Sequence, residues 1–106
     1  MAEILLTEGH NGGVVSAKVG DALIVQLPEN PTTGFRWSPA GVDWSALSLA
    51  GDDFQLGGES SVGGGGQHQW RFLARRSGAT NLEFRLARSW EPGVPKAVFR
   101  LQVQVG

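Results

Sequence analysis

The chain has no cysteine, which excludes disulfides, thiolate metal sites and cysteine nucleophiles at the outset. That absence leaves the compartment open. Histidine is nearly as scarce: His10 and His68 stand alone, in separate turn or strand-start regions without ligand spacing. Both read as solvated side chains, and a metal site is not expected. Net charge is lacking too, because nine basic and ten acidic side chains leave -1. General nucleic-acid binding needs a basic footprint, and a polybasic membrane anchor needs clustered lysines and arginines, so neither partner fits. No apolar run approaches the roughly 20 residues of a membrane span. The opening Met1-Ala2-Glu3-Ile4-Leu5-Leu6 lacks the basic region of a signal peptide. The expected location is periplasmic or secreted if a signal has been removed ahead of Met1, and cytoplasmic otherwise.

Glycine, by contrast, is abundant: 16 of 106 residues, about twice the usual share. Many tight turns and few long helices follow. The length suits one domain, residues 1–106, with a single core. Alternation of period two dominates. Ala97, Phe99, Leu101, Val103 and Val105 alternate with Val98, Arg100, Gln102 and Gln104, and Leu82, Phe84 and Leu86 alternate with Asn81, Glu83 and Arg85. Trp70 with Phe72, and Leu23 with Val25 and Leu27, repeat the pattern. Each run reads as a strand with one buried face. Residues 4–6 and 14–19 are weaker strands, and residues 42–49 hold one helical turn. About seven short strands separated by turn residues predict an all-β, immunoglobulin-like antiparallel β-sandwich.

Three connections stand out. Asn30-Pro31-Thr32-Thr33-Gly34-Phe35 joins two strands. Pro31 fixes its own φ and keeps Asn30 out of the α region, and Gly34 can take a positive φ. The two threonines between them have stiff χ1 angles and free hydroxyls. The second connection contains Gly63-Gly64-Gly65-Gly66, the third Arg88-Ser89-Trp90-Glu91-Pro92-Gly93. With one strand at 35–38, one broken strand at 48–56, and strands at 67–75 and 80–87, two sheet crossings separate each loop from the next. Loops two crossings apart emerge at the same end of an up-and-down layout, so the three should form one edge.

Each loop also has a plain reading. Asn-Pro followed by Gly is ordinary turn material. Four glycines make a flexible surface linker, or else allow close backbone approach to a partner. They are not a phosphate loop, since neither Lys-Ser nor Lys-Thr follows. Trp90 either caps the core or serves an interface, where Trp and Arg are favoured. Trp37 and Trp70 lie on strands and read as structural, and Trp44 fits either role. Asp52-Asp53 in a glycine turn reads as surface chemistry, and no nucleophile elbow is present. No enzyme activity and no cofactor are expected.

In their order and spacing, the three loops resemble the chagasin family of cysteine-protease inhibitors. The family's Asn-Pro-Thr-Thr-Gly-aromatic motif is matched in full by Asn30 to Phe35. Its Gly-x-Gly-Gly motif is satisfied by Gly63 to Gly66, and its Arg-Pro-Trp motif by Arg88 and Trp90 with Ser89 in place of proline. The resemblance implies a monomeric sandwich that reversibly and competitively occludes a papain-family cysteine protease. It would place Thr32 at the protease's catalytic centre with Thr33 beside it. Gly63, Gly64, Gly65 and Gly66 would run along the cleft wall, with Arg88 and Trp90 on the opposite rim. Serine at position 89 restores loop freedom that proline would remove, weakening binding by up to about 1 kcal/mol. Two rival readings are a carbohydrate-binding sandwich that stacks sugars on Trp37, Trp44 and Trp90, and an adhesion-type module.

Overall fold

A computed structural model describes residues 2–56, 65–91 and 93–106. Eight strands form among them: β1 Glu3–Leu6, β2 Val14–Ala17, β3 Ala22–Glu29, β4 Arg36–Val42, β5 Leu47–Leu56, β6 Gly66–Ala74, β7 Gly78–Ala87 and β8 Ala97–Val105. They make two four-stranded sheets, ordered β1-β3-β6-β5 and β2-β8-β7-β4. The all-β sandwich expected from the alternation is therefore what forms. The weaker apolar runs at 4–6 and 14–19 also become strands, each at a sheet edge.

The inward positions are those of the period-two pattern. Leu23, Val25 and Leu27 of β3 face Trp70 and Phe72 of β6, across from Leu82 and Phe84 of β7 and Phe99, Leu101 and Val103 of β8. The aromatics form a chain through the core: Trp70 to Phe84 at 4.5 Å between centroids, then Phe84 to Phe99 at 6.2 Å. Aromatic pairs at these separations add about 0.5–1.5 kcal/mol each beyond the area they bury.

Direction alternates at every connection, so odd strands run one way and even strands the other. Most neighbours are consequently antiparallel, but β1 pairs with β3 and β2 with β8 in parallel. The sequence gives no sign of this departure from a fully antiparallel sandwich. It arises because each N-terminal strand lies beside a strand of its own parity. The two other edge strands are bulged, β4 between Pro39 and Gly41 and β5 between Leu49 and Gly51. Such bulges disrupt edges that would otherwise recruit further strands. The bulge in β5 interrupts the strand that was expected to be broken between residues 48 and 56, while the helical turn narrows to residues 43–46, closed by Leu47 N donating to Asp43 O at 3.0 Å.

At the pole opposite the three loops, Asp21 fastens the chain start. Its carboxylate accepts from Ala2 N and Lys18 N, both at 2.9 Å. These two backbone donors, Ala2 first, hold its carboxyl below the usual carboxylate range.

Candidate functional site

Register places the roots of all three loops together. Glu29, the last residue of β3, pairs with Gly66, which also pairs with Leu56 at the end of β5. Arg36 at the start of β4 pairs with Ala87 at the end of β7. Lys96 N donates to Leu86 O at 2.8 Å and closes the third loop. The expected common edge is therefore present at the level of strand ends. Gly63 and Gly64 lie outside the described residues. Gly65 is half-buried, and Gly66 is already a strand residue, one position earlier than the sequence pattern suggests.

The first loop holds itself rigid. Pro31–Thr33 makes a single 3-10 turn. Asn30 Oδ1 accepts from Thr32 N at 3.0 Å and from Thr32 Oγ1 at 2.7 Å. Asn30 O accepts from Thr33 N at 3.1 Å and Thr33 Oγ1 at 2.8 Å. Thr33 Oγ1 in turn accepts from Phe35 N at 3.3 Å. The threonine hydroxyls are thus engaged within the turn, not free as the sequence suggested. An Asx side chain bonding its own backbone two residues on is what stabilises such turns. Thr32 and Thr33 stay exposed at the tip, and Gly34 takes φ +78°.

The third loop is bound to the first through Arg88. Its Nε donates to Thr33 O at 2.9 Å, and its Nη1 meets Glu91 Oε1 at 2.6 Å. The guanidinium lies 4.1 Å from the Phe35 ring centroid and 5.8 Å from that of Trp90. Lys96 Nζ approaches Phe35 as well, at 4.6 Å. Cations this close to an aromatic face are attracted by its quadrupole. Trp90 is 66% exposed, and its ring lies against Gly34. A groove of about 730 Å³ runs between Thr33, Arg36, Ser38, Arg88 and Trp90. Arg88 therefore supplies, through side-chain contacts, rigidity that Ser89 does not.

Beneath the tip lies a cluster that the sequence reading missed. His68 is buried instead of solvated, with its ring stacked on Trp70 at 3.9 Å and 9°. Its Nδ1 is 3.1 Å from Glu29 Oε2, and its Nε2 contacts Asp52 Oδ1. Asp52 and Asp53 belong to β5, not to a turn, and the half-exposed Asp52 meets the His68 ring from that edge strand. The signal was available: His68 is in phase with Trp70 and Phe72, and Glu29 with Val25 and Leu27. Turn-like neighbours obscured it.

The remaining tryptophans separate. Trp37 is buried and donates its indole N–H to Pro28 O at 2.9 Å. Trp44 is exposed, but in the β4–β5 turn at the far pole from Trp90. The three do not form the shared aromatic platform that stacking on sugar requires, so the carbohydrate-binding reading loses its geometric basis.

Comparison with known proteins agrees with the loop motifs. Residues 16–104 match the family described as chagasin family peptidase inhibitor I42. The chain belongs to the chagasin family. Among its relatives, chagasin of Trypanosoma cruzi is 50% identical over 32 residues, 30% of this chain and 29% of chagasin's length. The matched stretch thus spans less than a third of that relative. The crystal structure of EhICP2, a cysteine protease inhibitor from Entamoeba histolytica, superposes with a TM-score of 0.93 at 25% identity, over 100% of this chain and 97% of that one. The solution structure of Amebosin gives 0.79, also at 25% identity, over 98% of each chain. The fold of these two structures accordingly covers nearly the whole chain.

Proposed function

We propose that this chain reversibly and competitively inhibits papain-family cysteine proteases by filling the active-site cleft with its loop pole. The observation that carries the reading is the Arg88 bridge to Thr33 O, which makes one body of the threonine tip and the Trp90 loop. Family membership and the likeness to a cysteine protease inhibitor from Entamoeba histolytica support it further.

Thr32 enters the catalytic centre, with Thr33 and the rest of the Asn30 to Phe35 turn filling the cleft around it. Gly65 and Gly66 belong to the stretch that runs along one wall, together with Gly63 and Gly64. Arg88 supports, and Trp90 makes, the contact with the opposite rim. Inhibition is occlusion, with no covalent step. The hydrogen bonds around Asn30 hold the tip in a 3-10 turn, so no extended peptide bond reaches near-attack geometry. A tip ordered before it docks also loses little conformational entropy on binding.

Titrating papain with the protein tests the proposal. Competitive, reversible loss of activity is expected, with the inhibitor recovered intact. Unaffected papain would end the reading, and stoichiometric cleavage between Asn30 and Gly34 would end its non-substrate part.

A further inference from the structure

The cluster beneath the tip joins the roots of two inhibitory loops. Glu29 is the residue immediately before Asn30, and its side chain is wholly buried. One of its oxygens accepts from Trp37 N at 2.7 Å, across the neck of the first loop. Nδ1 of His68 lies 3.1 and 3.2 Å from the two Glu29 oxygens. His68 belongs to β6, and its other nitrogen meets Asp52 of β5, so the ring spans from that neck to the hairpin that carries the glycine loop.

From the sites already described, we infer that Glu29 and His68 are positioning residues: a buried clamp that holds the threonine tip in register with the glycine loop. The inference rests on the cleft-filling reading. A buried carboxylate is tolerated only when it is paired and hydrogen-bonded. Here the pairing depends on the ring. With a proton on both nitrogens, His68 donates to Glu29 on one side and to Asp52 on the other; a neutral ring turns one lone pair toward a carboxylate. The charged groups facing this site are Glu29 from β3, Asp52 from β5 and, behind Glu29, Arg36 from β4 at 3.8 Å. Trp70 and Phe54 cover the ring and carry no charge. Removing either the ring or the carboxylate therefore leaves a buried polar group unpaired and loosens the neck of the first loop.

Because neither residue reaches the surface that meets a protease, the clamp acts on how many molecules have the tip in place, and so on the association rate. Stopped-flow association with papain tests it, using Glu29→Gln and His68→Gln. If loss of the clamp leaves about a tenth of the molecules competent, association slows about tenfold while dissociation is unchanged. Equal association rates, or a change confined to dissociation, would overturn the clamp. Wild-type inhibitor that leaves papain active would instead overturn the cleft-filling reading beneath it. A variant that fails to fold is bypassed by amide hydrogen exchange of the free wild-type protein. The Trp37 amide, which donates to Glu29, should exchange as slowly as the core amides of β6, and a Trp37 amide that exchanges as fast as exposed loop amides would refute the inference.

Discussion

Gly34→Ala separates the fold from the loop edge proposed to meet the protease. At φ +78° an L-residue is strained, by about 1–2 kcal/mol. The larger consequence is local. A Cβ on Gly34 would sit 2.2 Å from the Trp90 Cη2 atom and 2.9 Å from Cζ2. Non-bonded carbon atoms settle at about 3.5–4.0 Å, so the tip of the indole must retreat by more than an ångström. Trp90 is mostly exposed, so it retreats into solvent at little cost to the fold. Stability should therefore fall by only the backbone term. If Trp90 anchors the rim contact, displacing it should weaken inhibition by about 2 kcal/mol, roughly 30-fold, the range of an interface anchor.

Urea unfolding and the papain inhibition constant, measured on the same samples, give the two numbers. A double-mutant cycle with Trp90→Ala assigns the cause: Trp90→Ala alone should cost about 2 kcal/mol, and Gly34→Ala should add little in its background. Full inhibition by Gly34→Ala would refute the coupling of the two loops, and strict additivity would show that the glycine acts without the indole.

Other perturbations probe separate parts of the molecule. Thr32→Asp should abolish measurable inhibition of papain, because the cleft would bury an unpaired charge; wild-type inhibition by this variant removes the first loop from the cleft. Thr80 is buried and its hydroxyl has no hydrogen-bond partner among the described residues. Thr80→Val should thus be neutral or stabilising by up to about 1 kcal/mol in urea unfolding, with a clear loss counting against it. Asp21 has its carboxyl held low by Ala2 N and Lys18 N. Its folded value lies below its unfolded one, so its contribution is present at neutral pH and is lost as pH falls through the folded value. The melting temperature of Asp21→Asn should converge on that of wild type in acid, and a constant gap between the two would contradict the assignment.

Local chemistry makes much of the domain legible in its sequence. Strands such as Ala97–Val105 announce themselves because a half-buried strand must alternate. The Asn30 to Phe35 turn does so because Asn, Pro and Gly each suit one backbone geometry. Counting crossings then brought the three loops to one pole, since each strand reverses the direction of the last. The parallel pairing of β1 with β3 escaped that count, because parity fixes direction but not which strands become neighbours.

Composition and order alone specify an all-β, cysteine-free domain with three loops at one end. Tertiary structure decided how those loops are held. Arg88 was legible as a candidate binding residue of the third loop, yet its bond to Thr33 O joins positions 55 residues apart. His68 was legible as a polar residue near a turn, yet folding places it between Glu29 and Asp52. Period-two patterning says which face of a strand a side chain takes. What that side chain meets depends on elements brought together only when the two sheets close on their core.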